Sequence, residues 1–259
     1  MMELEKAGLD RFQRVISIAT LNSVFCNENE KISDAIDKII KVEHEKLAVV
    51  TKKNQLVGLI GLMDILDAFL RKENLNEKIS KIMVRDIIFC DMNDTLDFVL
   101  QKIKLSRKGM LPVVSKEKLV GVVSESDFVK CFSETDFGTT VSEIMTKKPF
   151  FISPDTSVLD GLKSAVNTKY RRLPVVYNKK LSGLFAVVDT LRLIKSNFSL
   201  TQSVNSMMVK NVFTITKDKD LSDAIKIMKS KNIDGLPVVD DENHLEGIVT
   251  ERDILEQIV

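Results

Sequence analysis

Two residue types that can hold a sugar recur along the chain at a regular spacing. An aspartate follows a glycine by six residues four times, and successive copies lie about 63 residues apart. The four pairs are Gly58 with Asp64, Gly121 with Asp127, Gly183 with Asp189, and Gly247 with Asp253. An ionised carboxylate can accept hydrogen bonds from both hydroxyls of a ribose, and a glycine leaves room for a ligand near the backbone. The segment therefore indicates a nucleoside-binding device that was copied with the repeat.

A hydroxyl residue stands three positions before the aspartate in the second and fourth copies only. The pairs that keep it are Ser124 with Asp127 and Thr250 with Asp253, whereas Gly61 and Ala186 fill the position elsewhere. A hydroxyl one helical turn before a carboxylate can face the same ligand. The same spacing forms a capping box, which satisfies the first amides of a helix and needs no ligand. Because one carboxylate can do both, ribose binding is predicted where the hydroxyl is kept, and the choice stays open at Asp64 and Asp189.

Basic residues near the third and fourth aspartates are the candidate phosphate contacts. Arg171 and Arg172 come just before the apolar run 173–176, and Arg252 lies between Thr250 and Asp253. An arginine donates two hydrogen bonds from one planar group, and a helix N-terminus also suits a phosphate. The matching positions of the other copies hold Lys46, Gly109 with Met110, and Asp234 with Gly235. Four equivalent phosphate sites are therefore not expected, and a solvated charged turn also fits the arginine pair.

The elements that must position these residues follow the order β-α-β-β-α in each copy. In the fourth copy a β-prone run, 212–215, precedes a helix with apolar residues at Leu221, Ala224, Ile225 and Met228. Ser222 and Asp223 lie near the start of that helix, where small polar residues cap. A hairpin and a last helix that buries Ile258 follow. The sequence therefore predicts a mixed α/β fold.

The repeat divides the chain into four units, predicted at residues 12–72, 80–134, 141–197 and 204–259. A unit of this size has a marginal core alone, so the units are expected to pair. The polar stretch 133–140 has the composition of a linker and predicts a two-plus-two arrangement. Residues 3–15 are predicted to form an amphipathic helix before the first unit.

Composition narrows the class of protein. The net charge is +1, from 38 basic and 37 acidic residues, and aromatic residues make up 6%, which disfavours a nucleic-acid binder. Three scattered cysteines suit a reducing compartment, and the start has no signal-peptide layout, so a cytoplasmic protein is expected. We find no metal-ligand spacing and no nucleophile–base pair, so no metal site and no catalysis is predicted.

The unit, with Leu-Pro-Val-Val before its hairpin and Gly-x-x-Thr-x-x-Asp after it, resembles the cystathionine-β-synthase (CBS) domain. The fullest match is 236–239 with 247–253, and the resemblance covers residues 15–259. Tandem CBS pairs are called Bateman modules, and a chain of four units is similar to the γ subunit of AMP-activated protein kinase and its archaeal relatives. The resemblance implies a disc of two modules that binds AMP, ADP, ATP or S-adenosylmethionine-like ligands in clefts between units.

The resemblance also implies roles for the residues above. Adenine is expected between strand residues near Phe213, Thr214, Phe89 and Cys90, ribose on the hydroxyl–carboxylate pairs, and phosphates near the arginines. Such a chain regulates rather than catalyses, so a separate effector protein is expected, and a homodimer stays open. The alternatives are a nucleic-acid-binding CBS protein and a ligand-free scaffold whose clefts are filled by side chains.

Overall fold

The computed structural model describes residues 4–42, 46–133, 137–196 and 198–257, and of Val42 only the backbone. The predicted buried position of Ile258 lies outside these residues. Helices and strands are numbered along the chain. The first two units contain β1 (Thr20–Leu21), β2 (Phe25–Asn27), α1 (Ile32–Val42), β3 (Lys46–Val50), β4 (Leu56–Gly61), α2 (Leu62–Leu70), β5 (Cys90–Asp91), α3 (Leu96–Ser106), β6 (Met110–Ser115), β7 (Lys118–Ser124) and α4 (Glu125–Cys131).

The last two units repeat this order. They contain α5 (Val141–Ile144), β8 (Thr146–Lys147), α6 (Val158–Thr168), β9 (Arg172–Tyr177), β10 (Lys180–Ala186), α7 (Thr190–Lys195), α8 (Leu221–Lys231), β11 (Gly235–Val239), β12 (Leu245–Thr250) and α9 (Glu251–Glu256). Unit 1 runs through α2, unit 2 through α4, unit 3 through α7 and unit 4 through α9.

Helix α8 shows why these residues form these elements. Its predicted apolar positions are all buried, as an amphipathic helix on a sheet requires. The side chain of Asp220 caps its start by accepting from the Ser222 amide at 2.7 Å, so the cap lies before the predicted Ser222–Asp223 pair. Asn232 ends the helix in the left-handed region, with φ at 51°.

The predicted helix over residues 3–15 is wrong in its described part. Residues 4–8 form turns, and Gly8 has a φ of 86°, which a right-handed helix does not allow. Leu4, Ala7 and Leu9 are nonetheless buried in the core of units 2 and 4. The segment therefore contributes apolar area without regular structure.

Strands join unit 1 to unit 2 and unit 3 to unit 4. Each unit is entered through a lead-in segment, residues 18–25, 82–89, 144–151 and 207–214, which crosses to the neighbouring unit before returning to its own. Strand β1 of unit 1 pairs with β7 of unit 2, and β8 of unit 3 pairs with β12 of unit 4. The reciprocal crossings are single bridges, Leu59 with Val84 and Leu184 with Val209. Strand pairing thus gives the predicted two-plus-two arrangement.

Helices join the units differently. Helices α1 and α2 pack on α7 and α6, and α4 packs on α9 and α8. One apolar core is therefore shared by units 1 and 3, and a second by units 2 and 4. The four units close a ring of contacts, and stretch 137–141 hydrogen-bonds to unit 4 at Lys219 and Leu221 rather than standing apart as a linker.

The repeated glycines leave space for the lead-in segments that cross from the neighbouring units. A Cβ at Gly121 would lie 2.6 Å from the carbonyl oxygen of Thr20, and one at Gly183 would lie 2.6 Å from that of Val209. At Gly58 the nearest atom is the Met83 sulfur, also at 2.6 Å. The expected close approach is therefore real, but it is made by the neighbouring lead-in segment and not by a ligand.

We expect Gly121→Ala to lower the free energy of unfolding by about 1–3 kcal/mol, because the new methyl group meets rigid backbone. Gly58→Ala should cost less, since the flexible Met83 side chain can move away. Urea denaturation of the two variants measures the difference. An equal or reversed order would show that the strand crossing does not set the requirement for glycine.

Candidate functional site

The hydroxyl–carboxylate pairs form where β7 and β12 end and the next helix begins. The Thr250 hydroxyl and its amide both donate to Asp253 Oδ2, at 2.6 and 2.7 Å, and the Asp253 amide approaches the hydroxyl at 3.4 Å. Ser124 and Asp127 repeat this arrangement at 2.7, 2.7 and 3.4 Å. The capping box therefore exists in both units. It occupies only Oδ2 of each carboxylate.

The second oxygen of Asp127 faces the neighbouring unit. Its Oδ1 accepts from the hydroxyl of Thr20, in β1 of unit 1, at 3.3 Å. Thr20 lies opposite Val122 in the β1–β7 ladder, and Thr146 occupies the same ladder position opposite Ile248. We call Thr20, Ser124 and Asp127 the unit 2 cluster, and Thr146, Thr250 and Asp253 the unit 4 cluster.

Sequence reasoning missed the two lead-in threonines, although the repeat carries their signal. The matching lead-in residues beside the other two aspartates are Val84 and Val209, which bridge to Leu59 and Leu184. Hydroxyl residues therefore occupy both the lead-in position and the position before the aspartate in units 2 and 4, and neither position in units 1 and 3.

The other two aspartates differ from each other. Asp64 Oδ2 accepts from the Gly61 amide at 2.7 Å, so this carboxylate caps α2 without a hydroxyl partner. Asp189 lies in a 3-10 turn, Val187–Asp189, and α7 begins only after it. The buried Thr190 hydroxyl donates to the Val187 carbonyl at 2.6 Å and completes that turn. The helix start that positions the other carboxylates is absent from this part of unit 3.

The carboxylates are held in partly dry surroundings. Burial raises the pKa of Asp253 above its ordinary value, although hydrogen bonds from Thr250 act in the opposite direction. Burial likewise raises the pKa of Asp64, against the Gly61 amide and the nearby Lys46 and Lys108. A ligand that donates to these groups meets acceptors with little competing water.

The three predicted phosphate contacts all form ion pairs. Arg172 contacts Asp234 of unit 4, and an Arg171 nitrogen lies 4.0 Å from the same carboxylate. Arg252 donates from Nε to Glu125 of unit 2 at 2.9 Å. The structure thus brings Arg171 and Arg172 together beside unit 4, and places Arg252 between units 2 and 4 as an inter-unit contact.

A second group of cations consists of Lys46, at the start of β3, with Lys108 and Arg171, and its members come from units 1, 2 and 3. Burial lowers the pKa of Lys46, and the positive charges of Arg171 and Lys108 lower it further, whereas Glu125 and Asp64 act in the opposite direction. Sequence reasoning missed Lys108, because only positions 109 and 110 of that copy were compared with the arginines. Such a cluster is suited to an anion, which would relieve the mutual repulsion.

The predicted adenine contacts form two pairs, Phe89 with Cys90 in unit 2 and Phe213 with Thr214 in unit 4. Cys90 is fully buried in β5 beside β6, and burial raises its thiol pKa to about 12. Phe89 and Phe213 are half exposed, and Lys231 lies over the Phe213 ring. Thr214 lines a cavity of about 350 Å³ beside α8. Because the lead-in segments cross between units, it is Thr20 of unit 1 that contacts Asp127.

A cavity of about 440 Å³ is lined by Leu21, Phe25, Leu119 and Gly121. Leu21 and Gly121 are the ladder pair next to Thr20 and Val122. Because successive pairs of a ladder face opposite sides, the Leu21–Gly121 pair faces away from Thr20.

Within the described ranges, no helix is long and apolar enough to cross a membrane. Across the same part of the chain, no group of three or more histidine, cysteine or acidic side chains is placed to hold a metal ion.

The comparison with known proteins matches all four repeated units. The sequence model of the CBS domain matches residues 15–71, 79–134, 141–196 and 204–259. MJ1225, an uncharacterised protein of Methanocaldococcus jannaschii, is 24% identical over 275 residues, covering 94% of this chain and 98% of that protein. MJ1232 of the same organism is 33% identical over 118 residues, which are 46% of this chain and 39% of MJ1232.

Solved structures share the whole fold. The crystal structure of MJ1225, proposed as an archaeal homologue of g-AMPK, matches with a TM-score of 0.85 at 23% identity, covering 95% of this chain and 99% of that one. A conserved protein from Pyrococcus horikoshii matches with a TM-score of 0.67 at 22% identity and the same coverage. These matches confirm the predicted mixed α/β fold of four repeated units.

Proposed function

Because this chain belongs to the CBS-domain family, we propose that it is a non-catalytic sensor of adenosine nucleotides that reports occupancy to a separate effector protein. The observation that carries the proposal is the pair of clusters in units 2 and 4. In each, a carboxylate uses only its Oδ2 to cap a helix. In unit 2 the other oxygen, Asp127 Oδ1, accepts from Thr20 of the neighbouring unit. A ribose needs such an oxygen to accept from its two adjacent hydroxyls.

The cation cluster supports a phosphorylated ligand. Lys46 and Lys108, with Arg171 nearby, concentrate positive charge where units 1, 2 and 3 meet. A phosphate would be attracted there, whereas the sulfonium cation of S-adenosylmethionine would be repelled. AMP, ADP or ATP is therefore the proposed ligand, and Arg171 and Arg172 would contact it after exchanging Asp234 for phosphate.

The same geometry supports a route for the signal. Helices α4 and α9 each begin at one of the clusters, and they pack on each other across units 2 and 4. A ligand that favours one arrangement of these helices shifts the ring of units towards it, and by no more than its differential affinity. The effector protein would bind preferentially to that arrangement of the units, and a second copy of the chain is an alternative partner.

Isothermal titration of the purified chain with AMP, ADP, ATP, adenosine, S-adenosylmethionine and NAD tests this proposal. We expect two equivalents of AMP per chain, and adenosine should bind more weakly because it lacks the phosphate. No binding below millimolar concentration for any of these compounds would overturn the sensor and favour the ligand-free scaffold. Retardation of RNA or DNA at low micromolar protein would favour the nucleic-acid alternative.

A further inference from the structure

We propose that Asp234 is an internal anion that competes with the ligand phosphate for Arg171 and Arg172, and so limits the preference of the unit 4 site for a nucleotide over its nucleoside. The inference rests on the proposed nucleotide binding and adds a specificity determinant to one of its two sites. Arg172 Nη1 donates to Asp234 Oδ2 at 2.5 Å, and Arg171 Nη2 lies 4.0 Å from the same oxygen. One carboxylate of unit 4 therefore contacts two cations of unit 3.

Asp234 lies beside the unit 4 cluster. It immediately precedes β11, and its carbonyl accepts from the Glu251 amide at 3.0 Å. The next residue, Gly235, is the ladder partner of Thr250, and a Cβ at Gly235 would lie 3.1 Å from Thr250 Cγ2. The phosphate of a nucleotide is joined to the ribose through a single methylene group, so it must lie close to the ribose contacts. A ribose held at this junction therefore brings its phosphate towards the same arginines.

The carboxylate occupies the donors that a phosphate needs. Arg171 and Arg172 approach Asp234 with terminal guanidinium nitrogens, which are the atoms that form paired hydrogen bonds to phosphate. To bind a phosphate, the arginines must leave or share the carboxylate. The carboxylate then also repels the phosphate, which carries close to two negative charges at neutral pH. A nucleoside has no phosphate, so neither effect weakens its binding.

The size of the competition is moderate. The side chains of the two arginines and of Asp234 are between 34% and 40% exposed, so water screens their interaction and a ligand can reach them. The alternative role for Asp234 is to orient the arginines for phosphate. The two roles predict opposite signs, because removing a competitor strengthens phosphate binding and removing an orienting group weakens it.

The unit 2 cluster has no such anion. Gly109 occupies the position that matches Asp234 in the repeat. The Gly109 carbonyl accepts from the Glu125 amide at 3.0 Å, which is the backbone contact that Asp234 makes in unit 4. The two junctions therefore share their backbone and differ by one carboxylate. Unit 2 is thus an internal control for unit 4.

Isothermal titration of Asp234→Asn with AMP and adenosine tests the inference, in an Asp127→Ala background that leaves the unit 4 site to report. We expect the substitution to tighten AMP binding by about three- to tenfold and to change the affinity for adenosine by less than about twofold. In an Asp253→Ala background, which leaves the unit 2 site beside Gly109, it should change the affinity for AMP by less than about twofold.

An unchanged affinity for AMP at the unit 4 site would overturn the inference, and a weaker one would assign Asp234 to orienting the arginines. A gain shared by adenosine, or equal at the two sites, would also overturn it, since the substitution would then act through stability or net charge. If Asp234→Asn does not fold, Asp234→Ser removes the same charge and carries the same expectation. Absence of AMP binding to the parent protein would instead remove the proposed function, and with it this inference.

Discussion

Asp127→Ala should weaken AMP binding at one of the two proposed sites by about ten- to a hundredfold. The variant removes an acceptor that meets Thr20 on one side and the Ser124 hydroxyl on the other. Ribose hydroxyls lose a charge-assisted hydrogen-bond partner. Asp253→Ala should have the same effect on the unit 4 site, so the double variant should bind AMP weakly or not at all. Isothermal titration gives both stoichiometry and affinity.

The capping role of these aspartates requires a control, and the chain supplies one. Asp64 caps α2 through the Gly61 amide as Asp127 caps α4, but no hydroxyl accompanies it. Asp64→Ala should lose about 1 kcal/mol of stability, as Asp127→Ala does, without weakening AMP binding. Removing its negative charge near Lys46 can only strengthen attraction for phosphate. Equal loss of affinity in the two variants would assign these aspartates to capping alone.

The parts of the fold that could be predicted are those encoded within one unit. Apolar spacing located α8, and the repeated Gly-to-Asp segment located the strand-to-helix junctions. Gly61 and Ala186 stand where the other two copies have a threonine or a serine. At these two junctions the hydroxyl–carboxylate pair does not form. These features depend on neighbours a few residues apart, so periodicity and local capping rules reveal them.

The missed features depend on contacts between units. Nothing local shows that β1 leaves its own unit to pair with β7, so Thr20 could not be assigned to the surroundings of Asp127. The adenine contacts at Phe89 and Cys90 were predicted within a single unit for the same reason, and they stay a prediction. Lys108 joins Lys46 only through the ring of units. A site made between repeats is therefore the part that a single repeat cannot specify.

Glu251→Gln should stabilise the protein at alkaline pH and leave it unchanged at acid pH. Glu251 is buried between α4 and α9, and burial raises its pKa to about 7 from an ordinary value of 4.5. Asp234 and Glu125 raise the pKa further, against a hydrogen bond from Ser126. Its place at the start of α9 favours the ionised form by at most about 1 kcal/mol, which is too little to offset burial.

The sign of the effect follows from proton binding. The folded state keeps a proton that the unfolded state loses, so stability falls as pH rises from about 4.5 to about 7 and then levels off. The full difference is about 3 kcal/mol, and a neutral glutamine of the same shape avoids it. Urea denaturation between about pH 5 and pH 8 should show a declining wild-type stability and a flatter variant.

Glu125 provides the contrast that isolates this effect. It occupies the equivalent first position of α4 and is nearly as buried, but Arg252 pairs with it at 2.9 Å, whereas burial outweighs the effects of Ser126 and Lys130 on Glu251. Glu125→Gln breaks an ion pair, so it should destabilise the protein at about pH 8, where Glu251→Gln stabilises it. The two substitutions should therefore change the free energy of unfolding in opposite directions, although both residues lie at the same interface. Destabilisation by both, or a wild-type stability that does not fall between these pH values, would show that Glu251 is ionised and accommodated in the fold.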